Sequence, residues 1–272
     1  MNELALTHKR SRLFIELNTI VTVMAREITI FFKSPVMSIM SLTFPVVLMG
    51  MIGGNLMQNM AGGLGFQFGQ FMLVGMLVNM LFMITAMGMT SLVDDHDIDF
   101  NQEMLVAPVS RYSLITGKIL GASFGAIFSM AGTLVVGLIM GITLPISQFF
   151  LILVLSPLIC LCGGAVSMIF IGLIKNKRAA NFAVTLIVMP QMFLSGAIIP
   201  VNNSSGALLI LNRIMPMTYC LDLVRAVVYR GSSEYDSVVM FNPVVNLAAI
   251  AALTVICLIT GTYFFAQSEK NR

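Results

Sequence analysis

Charged residues are scarce in this sequence. Only 10% of its 272 residues are charged and 58% are hydrophobic, whereas soluble domains carry roughly 25% charged residues. So few charges could not cover the surface of a water-soluble chain of this length. Lipid accepts apolar surface if the backbone pairs its own polar groups, so the composition predicts a membrane protein. The long apolar runs predict helices, because a membrane barrel would show alternating segments of about ten residues.

Further absences exclude several classes of function. The sequence contains no G-x-x-x-x-G-K-[ST] phosphate loop, so we expect no ATP hydrolysis by this chain alone. We interpret its four cysteines as small buried apolar residues, with no metal site and no catalytic residue predicted. We attribute the net charge of +3 to membrane topology and expect no nucleic-acid partner. No ionisable residue lies well inside the predicted spans, which disfavours a proton-coupled transporter but leaves a passive pore open.

Six apolar runs have the roughly 20 residues that a membrane-crossing helix needs. They cover Val36–Met57, Phe71–Val93, Ile119–Ile142, Phe149–Ile174, Ala179–Ile199 and Val244–Ala266. The stretch 201–242 is apolar only in patches, and we predict short helices there that lie at or dip into one membrane face. The predicted fold is therefore an all-α protein with a transmembrane domain over residues 36–272.

Basic residues predict the orientation of these spans. Twelve of the 15 Lys and Arg precede the first span, follow the second and fourth spans, or follow the last. Cytoplasmic loops carry such an excess, so we expect both termini in the cytoplasm and the stretch 201–242 outside. This arrangement suits a multi-pass protein of a plasma membrane, with the inner membrane of a bacterium as the expected place.

Residues 1–35 are predicted to form a cytoplasmic tail and an amphipathic helix. Apolar side chains recur at helical spacing on one stripe, which includes Phe14, Leu17, Val21 and Phe31. Such a helix suits the plane of the membrane interface, and the alternative is a cytoplasmic helix packed on a partner. Pro35 should separate it from the first span.

The loop after the second span carries the densest group of acidic residues, from Asp94 to Asp99. It lacks the glycine and the fixed spacing of a calcium loop, so we expect a solvated acidic segment and no metal. A short helix should follow at about 99–108, with Glu103 as its ionisable residue and Pro108 at its end. A short helix with an apolar face suits a groove on a soluble partner.

Three sequence strings resemble the membrane subunits of type-2 ATP-binding-cassette (ABC) exporters, in the drug- and antibiotic-resistance-like branch. They are Leu105-Val-Ala-Pro-Val-Ser-Arg111, Pro190-Gln-Met-Phe-Leu-Ser-Gly196 running to Pro200, and Met215-Pro-Met-Thr-Tyr219 with Asp222 and Arg225. The first string matches that family's cytoplasmic coupling helix. The resemblance implies that an ATPase contacts Phe100, Glu103, Met104, Leu105, Val106, Pro108 and Arg111.

The other two strings imply an extracellular gate. Its residues would be Phe193, Leu194, Ser195, Gly196, Pro200, Pro216, Thr218, Tyr219, Asp222 and Arg225. Asp222 and Arg225 are three apart on a predicted helix, so we expect them to pair with each other or with a neighbouring chain.

The resemblance also implies partners and a mechanism. Two such permeases, identical or related, would surround a central pathway within membrane lipids. Each would bind a separate cytoplasmic ABC ATPase, which holds the ATP and Mg that this chain does not bind. ATP would bias the spanning bundle between inward-open and outward-open states.

Substrate contacts are predicted from polar and soft side chains inside spans: Asn79, Phe82, Met83, Gln191 and Met192. The absence of Trp and the presence of only five Tyr favour an amphiphilic drug, lipid or peptide as the substrate. A polysaccharide or teichoic-acid-type exporter is the alternative within the family. A passive channel or a regulatory membrane subunit is the alternative from another class.

Overall fold

A computed structural model describes residues 2–55, 66–93, 110–174, 176–201 and 206–270, and all regular structure within these ranges is helical. The prediction of an all-α membrane protein is confirmed. A π-helical turn, Leu48–Gly53, extends α2. The α-helices are α1 (Asn2–Lys33), α2 (Pro35–Val47), α3 (Phe68–Gly88), α4 (Arg111–Ile139), α5 (Ile146–Leu173), α6 (Lys177–Leu194), α7 (Ala207–Ile214), α8 (Pro216–Val228), α9 (Tyr235–Val238) and α10 (Pro243–Lys270).

The described residues contain four helices long and apolar enough to cross a membrane, or up to six if each of two bent pairs counts as one span. The first bent pair comprises Phe14–Lys33 and Ser38–Met51, at 72°, and the second comprises α7 and α8, at 81°. The predicted first span corresponds to α2, which is part of the first bent pair, and the predicted fifth span corresponds to α6, a shorter apolar helix. The total of six spans therefore stays a prediction. The four long spans are Phe68–Val93, Arg111–Ile139, Ile146–Leu173 and Tyr235–Ser268.

Two helix ends differ from the hydropathy prediction. Helix α6 ends at Leu194, before the predicted Ile199, and Gly196 then adopts a positive φ of 84° that ends the helical path. Helix α4 begins at Arg111, well before the predicted Ile119, because the Ser110 side chain accepts a hydrogen bond from the Tyr112 amide. Its first two turns are too polar for hydropathy to assign to a span.

Helix α3 is the centre of the bundle, because α4, α5, α6 and α8 all pack against it. Its side chains from Phe71 to Phe82 are almost completely buried. At Gly163 of α5, an added methyl group would lie 2.6 Å from the Phe82 carbonyl oxygen. The glycine thus permits the backbones of α3 and α5 to approach directly.

Helix α1 packs along the first half of α4 through a row of glycines. A methyl group added at Gly117 would lie 2.9 Å from the Ile20 carbonyl oxygen, and one added at Gly121 would lie 2.5 Å from the Glu27 side chain. A methyl group added at Gly125 would lie 3.1 Å from the Phe31 ring, so these glycines permit α1 and α4 to approach closely. The opposite stripe of α1 leaves Phe14, Leu17 and Val21 exposed.

The helical path breaks at Ser34, immediately before Pro35, as predicted. Placement of α1 at the membrane interface stays a prediction. Its packing on α4 differs from both predicted neighbours, lipid and a separate partner.

Two prolines inside helices leave carbonyl oxygens without their usual donor, and nearby hydroxyls supply one. Pro45 cannot donate to Ser41, whose carbonyl accepts a hydrogen bond from Ser129 of α4. Pro157 cannot donate to Leu153, whose carbonyl accepts from Ser156 at 2.7 Å. The first bond crosses between helices and fixes α2 against α4.

The bundle has two ends. At the first, here called the α1 end, α1 meets the beginning of α4, where the Ser110 amide donates to the Glu16 carboxylate at 3.0 Å. At the other, the bent-pair end, α7 and α8 join the beginnings of α3, α5 and α10. There Gln148 donates to the Val228 carbonyl at 3.0 Å and accepts from Gln70 at 3.2 Å.

Candidate functional site

The corner between α7 and α8 is held by side chains. Asn212, at the end of α7, is buried and donates from Nδ2 to the Leu194 carbonyl at 2.8 Å. Thr218, in the first turn of α8, donates to the Asn212 carbonyl at 2.7 Å. Helices α7 and α8, called the bent pair from here on, are therefore attached to the last residue of α6. Sequence reasoning selected Thr218 and missed Asn212, for which a polar amide within an apolar helix was the available signal.

Arg225 connects α8 to two other elements. It is only 3% exposed, and its Nη2 donates to the Gly196 carbonyl at 2.8 Å. Its guanidinium lies over the Phe71 ring of α3, with Cζ 3.6 Å from the ring centroid. A cation on an aromatic face is attracted by the ring quadrupole, and more strongly when water is excluded. One side chain thus joins α8, the turn after α6 and the beginning of α3.

Asp222 anchors the beginning of α10. Its carboxylate oxygens accept from the Met240 amide at 2.7 Å, the Phe241 amide at 2.8 Å and the Asn246 side chain at 2.8 Å. The residue is 2% exposed. Three donors therefore satisfy this buried carboxylate. Asp222 therefore holds the beginning of α10 against α8.

Of the two predicted alternatives for Asp222 and Arg225, pairing with each other is wrong within the described part of the chain, and pairing with a neighbouring chain stays a prediction. The two residues are one turn apart on α8, but each is bonded to a different neighbouring element. Helical spacing alone suggested a local pair. It could not show that backbone groups distant in sequence would satisfy both side chains.

The remaining predicted gate residues lie around this polar group. Tyr219 donates to the Arg213 carbonyl at 2.7 Å and stacks on Phe241 with 5.6 Å between ring centroids. Pro216 is the first residue of α8. The other five belong to the end of α6 or the turn after it, with Phe193 exposed and Ser195 and Gly196 buried: Phe193, Leu194, Ser195, Gly196 and Pro200.

Helix α3 approaches this turn very closely. A methyl group added at Gly75 would overlap the Ala197 carbonyl oxygen. Beyond the end of α8, Tyr229 is 2% exposed, and its hydroxyl has no hydrogen-bond partner among the described residues. Burial raises the pKa of the Tyr229 phenol, and the charge of Arg225 only partly opposes that rise. The phenol is therefore neutral.

Two of the predicted pathway residues come together beneath the bent pair. Asn79 of α3 donates to the Met217 sulfur at 3.7 Å, and Gln191 of α6 accepts from the Met217 amide at 3.3 Å. The Asn79 Oδ1 has no partner in the described structure. All five predicted pathway side chains are buried inside one chain: Asn79, Phe82, Met83, Gln191 and Met192.

The α1 end carries a buried ion pair. Lys118 of α4 has a side chain only 1% exposed, and its Nζ lies 3.4 Å from the Glu27 carboxylate of α1. Arg111, the one predicted coupling residue that is described, begins α4. The other predicted coupling residues lie outside the described residues: Phe100, Glu103, Met104, Leu105, Val106 and Pro108.

The described residues contain no group of three or more His, Cys, Asp or Glu side chains that could hold a metal ion. The four cysteines are free thiols and are buried, as their apolar surroundings predicted. The described chemistry at the bent-pair end is that of hydrogen bonds, one buried cation, one buried carboxylate and aromatic rings.

Comparison with known proteins agrees with this architecture. Three relatives are Nodulation protein J from Rhizobium meliloti (strain 1021), 30% identical over 130 residues, from Neorhizobium galegae, 27% over 127, and from Rhizobium leguminosarum bv. trifolii, 27% over 129. Each alignment covers 46% of this chain and 47–48% of the relative. The chain thus spans about half the length of the curated relatives it matches. The family model described as ABC-2 type transporter matches residues 18–229, so the chain belongs to the ABC-2 type transporter family.

Proposed function

We propose that this chain is the permease subunit of an ABC exporter and moves an amphiphilic small molecule, such as a drug, a lipid or a peptide. A separate ATPase subunit would supply the energy. The observation that carries the proposal is the attachment of the bent pair to α3, α6 and α10 through Arg225, Asn212 and Asp222. An exporter needs an element that closes the exit of its pathway, and this pair fits that requirement.

The bent pair would act as the gate by moving as a unit. The contacts that hold it closed are a few hydrogen bonds and one cation–ring contact, and an opening motion would replace them. Each is worth on the order of 1–3 kcal/mol, so their sum is within reach of a nucleotide-driven change.

The pathway would open where α3, α6 and α8 separate. Asn79, Gln191 and Met217 meet there, and the Asn79 Oδ1 is without a partner in the described state. A buried acceptor without a donor is costly, so a substrate hydroxyl or amine would gain by donating to it. Phe82, Met83 and Met192 would supply apolar contact, which suits an amphiphile better than a sugar chain.

The ATPase would act on the permease at the α1 end. The stretch 99–108 directly precedes α4 in the sequence and would bind the ATPase, with Glu103 as the charged contact. The ATPase partner would hold ATP and Mg. Two permease chains, identical or related, would each bind one ATPase, and the closing of the two ATPases on each other would move both permease chains. We place both termini in the cytoplasm of a cell whose plasma membrane, in a bacterium the inner membrane, holds the pair.

The substitution Glu103→Arg tests this function. The variant should reach the membrane at the normal level but lose binding of the ATPase and substrate-stimulated ATP turnover. A fully desolvated charged contact at an interface costs about 2–5 kcal/mol when one partner is removed, enough to uncouple a weak joint. Asp97→Arg is the matched control, because it reverses a charge in the same loop outside the predicted contact.

The outcome separates an exporter from a passive channel or a regulatory subunit. If the chain is an exporter subunit, Glu103→Arg should lose ATPase binding and substrate-stimulated ATP turnover, whereas Asp97→Arg should keep both. If Glu103→Arg and Leu105→Asp both transport normally, the coupling assignment and the exporter proposal fail together.

A further inference from the structure

A groove at the bent-pair end lies between α5, α8 and the beginning of α10, away from the predicted pathway. Its volume is ≈ 630 Å³. Leu151 of α5, Val227 of α8 and Val244 of α10 supply its apolar walls. Leu151 and Val244 are exposed by 44% and 72%, so the groove opens on the outer surface of the bundle.

One cation lines this apolar groove. Arg230 follows α8 and is exposed, and it forms no hydrogen bond or ion pair within the described ranges. Among the residues that the structure describes, no acidic side chain lines the groove. Asp222 is committed to α10, and the nearby Glu234 accepts from the Gln67 amide at 3.2 Å on another side. The groove therefore presents a positive charge at the edge of an apolar surface.

Polar groups near Arg230 add donors. Asn242 uses its Oδ1 to accept from the Val244 amide at 2.9 Å, which leaves its side-chain nitrogen without a partner in the described structure. Tyr235, which carries a phenol, lines the same groove. These groups can all donate to phosphate oxygens, and Arg does so with two parallel hydrogen bonds.

We propose that this groove binds one anionic phospholipid. Its phosphate would lie on Arg230 and Asn242, and its acyl chains would follow the exposed apolar side chains of α5 and α10, including Val154 and Leu247. The charge of Arg230 and the exposed apolar side chains of the two helices that wall the groove both match this ligand. The site does not depend on the exporter proposal, because it lies on the outer surface of the bundle.

The test uses the full chain in vesicles of phosphatidylcholine mixed with phosphatidylglycerol, followed by gentle detergent extraction and native mass spectrometry. Wild-type protein should retain one phosphatidylglycerol in preference to phosphatidylcholine. Arg230→Gln should lower that preference roughly fivefold, as expected for about 1 kcal/mol per basic residue near an anionic surface. Arg213→Gln, an exposed basic residue on α7 that does not line the groove, should keep the preference.

A second variant separates a groove from general surface charge. Val244→Trp obstructs the groove without changing the charge and should abolish retention, while inorganic phosphate should not displace the lipid. The proposal is overturned if wild-type protein shows no preference, if the two arginine variants behave alike, or if Val244→Trp retains the lipid. Displacement by inorganic phosphate would overturn it as well, by indicating a free-anion site.

Discussion

At the scale of single residues, the bent-pair end depends on side chains that each join several elements. Arg225 bonds the turn after α6 and stacks on α3, and Asp222 accepts three donors at the beginning of α10. Because both are buried, removing either leaves backbone groups without partners in a place that water does not reach. Small substitutions there should have large effects.

Arg225→Ala tests that dependence. The change removes the bond to the Gly196 carbonyl, the contact with Phe71 and part of the packing, so stability should fall by about 3 kcal/mol. Transport should fall with it at equal expression. The four cysteines are buried, so a thiol-reactive fluorescent dye reports thermal unfolding. Arg213→Ala, on the exposed part of α7, should change stability by about 0.5 kcal/mol or less. Equal melting of the two variants would contradict the anchoring role.

At the scale of elements, the α1–α4 contact is the best defined joint of the α1 end. Glycines bring the two helices together, and the Lys118–Glu27 pair lies within the contact at 3.4 Å. Glu16 of α1 also accepts the amide of Ser110, the residue before α4. Displacement of the residues before α4 would therefore move α1 as well.

A double-mutant cycle measures this joint. Lys118→Met alone should cost about 1–3 kcal/mol, because the Glu27 carboxylate loses the Lys118 ammonium at 3.4 Å and keeps Arg26 at 3.3 Å. Glu27→Leu alone should cost a similar amount. The double substitution should cost clearly less than the two single ones added, since the Lys118–Glu27 interaction can be lost only once. The dye-based melting assay gives all four stabilities, and strict additivity would show that the pair is not coupled.

Much of this fold was predictable because span positions follow from hydropathy. The predicted Phe149–Ile174 agrees with α5, and the predicted Val244–Ala266 lies within α10. Less predictable were contacts between elements distant in sequence. The partners of Arg225 are Gly196 and Phe71, and helical periodicity gives no information about either. Buried amides were easier to select, because Asn79 and Gln191 stand out in apolar runs.

At the scale of the whole molecule, successive helices alternate between the two ends of the bundle. Helices α4 and α6 begin at the α1 end, whereas α3, α5 and α10 begin at the bent-pair end. Basic residues before α4 and between α5 and α6 predict a cytoplasmic α1 end.

Single cysteines introduced at Gly62, Ser204, Asp97 and Asn176 test this orientation. The first two should react with a membrane-impermeant thiol reagent on intact cells, and the last two only after permeabilisation. The parent chain is the control, because its four native thiols are buried. Labelling of all four positions from the same side would refute the alternating topology.

Helix α10 has a mechanical consequence that follows from its two attachments. Near one end it is tied to α8 by Asp222, and toward the other its Gly261 lies against the backbone of α5. About 27 Å of helix separates Gly261 from the beginning of α10, so a tilt of about 7° about the contact at Gly261 would shift that beginning by roughly 3 Å. A small rotation of α10 about its contact with α5 would thus displace the beginning of α10 by about the length of a hydrogen bond. That displacement would occur where Asp222 of the bent pair is bonded to α10.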